Sequence, residues 1–158
     1  MTTAGAWTRA LITAAVVFVA DQVAKQVAID AVARGAREDF FLFLDLVNVR
    51  NSGVAFGALQ NGGIIVGVVV GLALIALLVF FSRHATRPLT WLPVGLLLGG
   101  ALGNAVDRIR IGAVVDYLKL PNWPAFNLAD VAITVGVILL VVVIERNARD
   151  EHAAPSPA

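Results

Sequence analysis

No cysteine occurs among the 158 residues, which removes disulfides, thiolate metal sites and thiol nucleophiles from consideration. Charge is the second scarcity. Only 15% of the residues are charged while 59% are hydrophobic, and the mean hydropathy is +0.85. A soluble domain carries nearer ~25% charge. So few charges cannot cover a water-facing surface, and the same figures exclude disorder. The two histidines, His84 and His152, are too few for a histidine metal cluster. Serine is confined to Ser52, Ser82 and Ser156, and neither histidine lies in a long apolar stretch. A Ser–His–Asp triad therefore fits poorly, and Asp21 beside Lys25 weakens a Ser52–Lys25 pair. Twelve basic against eleven acidic residues leave a formal charge of +1, no field for gripping nucleic acid. What remains is a small membrane protein, and its few charges are what need explaining.

Four apolar stretches, at about 7–29, 62–81, 89–107 and 126–145, each approach the ~20 residues of a helical crossing. They lack the alternation of barrel strands, so the expected fold is an all-α membrane protein, a four-transmembrane-helix bundle. One integral-membrane domain is expected over residues 1–146, with 147–158 a flexible tail. Arg9 ahead of an apolar run and Ala31-Val32-Ala33 resemble a cleavable signal peptide. Asp21 and Lys25 inside the run favour a retained helix instead. The first link is β-rich, with Leu44 to Arg50 strand-like and Asn51-Ser52-Gly53 turn-prone. Pro121 and Pro124 break the chain before the last span. Glycines four apart, Gly67 and Gly71 in the second span and Gly95, Gly99 and Gly103 in the third, predict close helix packing. Five basic residues in the links of one side face six on the other, so the Lys/Arg balance leaves orientation open.

With four crossings, the links after spans one and three share one membrane side, whichever it is. That gathers Asn51, Asn104, Asp107, Arg108, Asp116, Asn127 and Asp130 at one face, with Asp21 ~12 Å deeper. An acid at the centre of a span costs up to about 2.5–3.5 kcal/mol, so each needs a reason. Asp21 and Lys25, four apart, read first as a helix salt bridge. Asp107 and Arg108 read as anchoring or structural residues where the third helix reaches water. Asp130 has no basic residue within four positions. Capping by Asn127 or Asp130, or a dipole interaction, is the plain alternative to a functional role. Asp116 would lie ~21 Å from Asp130 on one helix, but the proline-broken link can fold the two together. If its own stretch were helical, Asp116 would instead pair with Lys119. Two carboxylates held close in low dielectric share a proton. The ionised one can then activate water while the other donates to a carbonyl oxygen, which hydrolyses a peptide bond. A proton-coupled transporter with Asp130 as carrier, or a structural subunit, is the competing class. Acids at one end and two uncharged middle spans fit a transporter less well.

Five segments, in order, resemble the signatures of the bacterial lipoprotein signal peptidase (signal peptidase II) family. They are Asp21-Gln22-Val23-Ala24-Lys25, Asn51-Ser52-Gly53-Val54-Ala55-Phe56-Gly57, the run from Gly99 to Arg108, Val114-Val115-Asp116-Tyr117, and Phe126-Asn127-Leu128-Ala129-Asp130. The resemblance implies Asp116 and Asp130 as the catalytic pair. It further implies Asp21, Lys25, Asn51, Gly53, Asn104, Asp107, Arg108, Asn127 and Ala129 as substrate-binding or supporting residues. A small extracytoplasmic β-cradle is implied over about 38–57, with both termini cytoplasmic and the site near the outer face of the bacterial cell membrane. The implied substrate is a diacylglyceryl-modified prolipoprotein cut before its lipidated Cys. Membrane lipid is the other implied partner, globomycin the implied inhibitor, and no metal or organic cofactor is implied. Tyr117 departs from the phenylalanine common after the first catalytic Asp. Phe40, Phe41, Phe43 and Trp123 suit the membrane interface.

Overall fold

A computed structural model describes residues 1–52 and 62–153, with side chains over 1–52 and 67–150. Its elements are α1 (Thr3–Ala31), β1 (Arg37–Phe41), β2 (Leu44–Asn51), α2 (Gly62–His84), α3 (Trp91–Ile111), β3 (Val114–Lys119) and α4 (Leu128–Ala153). Thr2 opens α1 by accepting the Gly5 N–H on its hydroxyl, at 3.2 Å. At the end of α3, Gly112 sits at φ 71° and donates its N–H to the Arg108 carbonyl. That left-handed residue turns the chain directly into β3. A reciprocal cap starts α4. Asn127 Oδ1 accepts the Asp130 N–H at 2.9 Å, and Asp130 Oδ2 accepts the Asn127 N–H at 3.3 Å.

The surface and interior are inverted relative to a soluble protein. Val16, Val27 and Leu72 are about 60% exposed, while Asp21, Lys25 and Asn127 are essentially fully buried. In water such an apolar exterior would associate or aggregate; in lipid it is solvated. Among the described residues three stretches, Thr3–Ala31, Gly67–His84 and Leu128–Asp150, are long and apolar enough to cross a membrane. α3 falls short of them in hydropathy because its glycines, Asn104 and the Asp107-Arg108 pair dilute it. It is nonetheless the packing centre, lying against α1 and α4, whereas α2 leans on α3.

Glycine explains how α3 gets so close. A Cβ on Gly95 would meet the Ala10 carbonyl oxygen at 2.8 Å, and one on Gly99 the Ala14 oxygen at 2.6 Å. The expectation fails for α2, where Gly67 and Gly71 have nothing within 4 Å. The spacing is the same, but among the described residues only open space lies where either Cβ would stand. At Gly103 an added Cβ would stand 2.5 Å from Asp21 Oδ2. Gly103→Ala should therefore destabilise by about 1–3 kcal/mol through overpacking. Gly67→Ala should be neutral or slightly stabilising. Thermal unfolding of the two variants in detergent checks this, and equal midpoints would contradict the packing account.

The three strands form one antiparallel sheet in the order β1-β2-β3. Asn48 ties it to the bundle by donating to the Val32 carbonyl at 2.8 Å, just past the end of α1. β3 corrects the all-α reading, because the link after span three forms a strand. Its Val-Val-Asp-Tyr-Leu run, between Gly112 and Pro121, has the β-branched and aromatic content of a strand. In strand geometry Asp116 and Lys119 point to opposite faces. They do not pair, and Lys119 bonds the Trp123 carbonyl instead. α4 runs on to Ala153, so the expected tail is helical from 147 to 153. Residues 53–57 of the expected cradle, including Gly53, lie outside the described residues, as do 154–158.

Candidate active site

β2, β3 and the start of α4 converge on two carboxylates. Val49 pairs with Asp116 across the sheet, which brings Asn51 of β2 alongside. Asn51 Nδ2 donates to Asp116 Oδ2 at 2.8 Å, and Asn127 Nδ2 donates to Asp116 Oδ1 at 2.8 Å. Asp130 Oδ1 accepts from Asn104 Nδ2 at 2.7 Å, while its Oδ2 accepts the Asn127 N–H. Asn127 thus bonds both carboxylates, one through its side chain and one through its backbone. Asn104 closes the ring, its Oδ1 standing 3.2 Å from Asn127 Nδ2. The capping alternative for Asp130 is also correct. The same carboxylate caps α4 with one oxygen and faces Asn104 with the other.

Burial pushes the Asp116 carboxyl up to about 6. The Asn51 and Asn127 bonds and the Lys25 charge oppose that rise, and the charge of Asp130 adds to it. Removing the Asn51 donor should therefore raise the value further. Infrared titration of isotope-labelled aspartate in Asn51→Ala checks this, and a downward shift would contradict it. The linkage has a definite sign. A carboxyl raised in the folded state keeps its proton longer there, so stability falls as pH rises from about 4 through 6. Tyr117, 6% exposed, is pushed up to about 12, mainly by burial, so its phenol stays neutral.

Behind the pair lies a buried ionic cluster. Lys25 Nζ is 2.8 Å from Asp21 Oδ2, 2.8 Å from Asp107 Oδ2 and 3.0 Å from Asn104 Oδ1. Each of its two acids also holds a backbone N–H. Asp107 Oδ2 accepts from Val115 at 3.1 Å, and Asp21 Oδ1 accepts from Ala129 at 2.9 Å. Val115 precedes Asp116 and Ala129 precedes Asp130. One lysine therefore anchors both carboxylate-bearing segments, through two acids. The Asp21–Lys25 salt bridge expected from spacing is present, but it is half of a larger cluster. Asp107 takes the structural role of the two expected and not a place at water: it is 6% exposed and paired with Lys25. Gln22 was not singled out from the sequence. Its Nε2 donates to Asp107 Oδ1 at 3.1 Å and to the Gly103 carbonyl at 3.3 Å. Its position three residues before Lys25, on the same helix face, was the available signal.

Openings on more than one side reach the pair. An apolar groove of about 450 Å³ between α2, α3 and α4 exposes Asp130 among Leu74, Leu97 and Ile133. Arg108 stands at this groove and donates to the Asn104 carbonyl at 3.3 Å. A smaller opening beside Asp116 is lined by Asn51, Ser52 and Pro124. No group of three or more His or acidic side chains able to hold a metal ion occurs among the described residues.

A multi-pass helical membrane protein with two amide-bridged carboxylates at one end of its bundle is the class that this fold and site define. The Signal peptidase (SPase) II family profile matches residues 13–145. A lipoprotein signal peptidase of Moorella thermoacetica is 52% identical over 99 residues, 62% of this chain and 66% of that protein. Another, from Anaplasma marginale, is 41% identical over 129 residues, 77% of this chain and 75% of the relative. A solved bacterial membrane enzyme superposes with a TM-score of 0.81 at 30% identity, covering 94% of each chain. The chain belongs to the signal peptidase II family.

Proposed function

We propose that this chain is an aspartic endopeptidase that removes the signal peptide from diacylglyceryl-modified prolipoproteins, cutting before the lipidated Cys. The observation that carries the reading is Asn127 bonding both Asp116 and Asp130. Two carboxylates so held share one proton, as aspartic hydrolysis requires. The ionised carboxylate takes a proton from water as the hydroxyl attacks the scissile carbonyl carbon. The protonated carboxyl gives its proton to the carbonyl oxygen, forming a gem-diol. One proton then passes to the amide nitrogen, the C–N bond breaks, and the signal peptide leaves with a new carboxylate. The other product keeps the lipidated Cys with a free amine. Asn51, Asn104 and Asn127 orient the two acids, while Asp21, Lys25, Asp107 and Ala129 hold the segments that carry them. Arg108 and the apolar groove receive the lipid-bearing substrate; Gly53 completes the proposed set.

In this reading α3 is a fourth crossing, its glycine faces buried against α1 and α4 and its polar end at the site. Residues 1–146 act as one domain in the bacterial cell membrane, with both termini cytoplasmic and the site near the extracytoplasmic face. Phe41, Phe43 and Trp123, 66%, 74% and 61% exposed, suit the boundary between lipid and water there. Globomycin is the inhibitor expected. The test is cleavage of a lipidated precursor by the purified chain in nanodiscs, with products read by mass spectrometry. We expect one cut, immediately before the modified Cys, and at least ~100-fold slower cutting of the unlipidated precursor, the loss that remote binding energy can produce. Accumulation of a solute in vesicles without peptide cleavage would favour the transporter instead.

A further inference from the structure

A cavity of about 420 Å³ lies between α1, α3 and the β2–β3 pair, lined by Gln22, Lys25, Arg50, Asp107 and Arg110 among others. It shares no lining residue with the groove that exposes Asp130, while Arg50 also lines the small opening beside Asp116. Its inner wall is already satisfied. The three donors of Lys25 point to Asp21, Asp107 and Asn104. Asp107 accepts from Gln22 on one oxygen and from Lys25 and Val115 on the other, so its charge is compensated. The Arg50 guanidinium is not fully satisfied by the described residues. Arg50 Nη1 is buried without a hydrogen-bond partner among the described residues. Arg110, on the last turn of α3, is exposed at the lip. A buried guanidinium N–H without an acceptor costs free energy, and two arginines facing one cavity match the geometry of a phosphate.

The flank of the cavity says where the phosphate comes from. Val23 and Val27 of α1 and Ile111 of α3 are 57%, 61% and 51% exposed, so the opening continues into an apolar surface that lies in lipid. An acyl chain can run along α1 while the headgroup sits between the arginines. The cavity is of the size that takes a glycerol-phosphate headgroup.

We propose that this cavity, whose lining includes neither Asp116 nor Asp130, binds the phosphodiester headgroup of an anionic glycerophospholipid, gripped by Arg50 and Arg110. The proposal rests on the membrane reading and not on the peptidase reading, so each can fail without the other. The experiment is native mass spectrometry of the full chain, delipidated in detergent. It is titrated with phosphatidylglycerol, with diacylglycerol of the same acyl chains, and with inorganic phosphate. We expect one phosphatidylglycerol held at least ~10-fold more tightly than either other probe, a difference of about 1.4 kcal/mol. Arg50→Gln/Arg110→Gln should lose that preference, and Arg83→Gln, outside the cavity, should keep it. Should the double variant fail to fold, Arg110→Gln alone at the exposed lip should lower phosphatidylglycerol affinity severalfold. Equal retention of diacylglycerol, inorganic phosphate bound as tightly as the lipid, or an unchanged preference in the arginine variants would each overturn the assignment.

Discussion

Asp130→Asn is expected to lower single-turnover cleavage of a lipidated precursor by about 10²–10⁴-fold, the range for loss of a positioned proton-transfer group. Asp116→Asn should do the same. The substitution is nearly isosteric and spares the fold. An amide oxygen at 130 can still accept from Asn104 Nδ2, so that the longer contact from the Asn127 N–H is the one given up. At 116 the neutral amide also removes the cost of ionising a buried carboxyl. Asp116→Asn should therefore lose less stability than wild type between pH 4 and 7. The two readouts separate chemistry from folding: activity collapses while the unfolding midpoint holds or rises. Near-normal cleavage by either variant would end the assignment of the pair.

Lys25→Met should have the largest effect on stability. Removing one partner of a buried ion pair costs about 3–5 kcal/mol, because the remaining charge is stranded. Here two carboxylates would be stranded at once, Asp21 and Asp107, each holding the backbone in front of a site aspartate. Lys25→Arg should fail to rescue, since the fork of a guanidinium does not fit three acceptors gathered within 2.8–3.0 Å of one nitrogen. Neutralising the partners should help. Lys25→Met/Asp21→Asn/Asp107→Asn should recover part of the lost stability, because the costly element is uncompensated charge. Chemical unfolding in detergent measures all three variants, and a Lys25→Met protein as stable as wild type would contradict the cluster's role.

The helices were legible because an apolar run of bilayer length has few other stable forms. Local spacing likewise gave away the Asp21–Lys25 pair. What local spacing cannot reveal is a partner 82 residues away, so the joining of Asp107 to that pair was hidden, and with it the burial of an acid expected at water. Gly95 and Gly99 pack as predicted, yet Gly67 and Gly71 with the same spacing do not. A glycine repeat marks a face that permits close approach, and only the tertiary arrangement decides whether a helix arrives. Asp116 was placed with its pair by the proline break and the resemblance. That a strand presents it, with Asn51 delivered by the neighbouring strand, depended on a sheet formed across some 65 residues. The scarcity of charge was the most informative feature, since each buried acid had to be held by something.

The central claim is that Asp116 and Asp130 act as one unit, sharing a proton. The most direct test is a double-mutant cycle on cleavage of a diacylglyceryl precursor in nanodiscs, using Asp116→Asn, Asp130→Asn and the pair together. Groups that work as a unit are strongly non-additive. The account predicts that the double variant is no slower than the slower single variant. Multiplying losses, so that the double variant falls by the product of the two, would show two independent groups and contradict it.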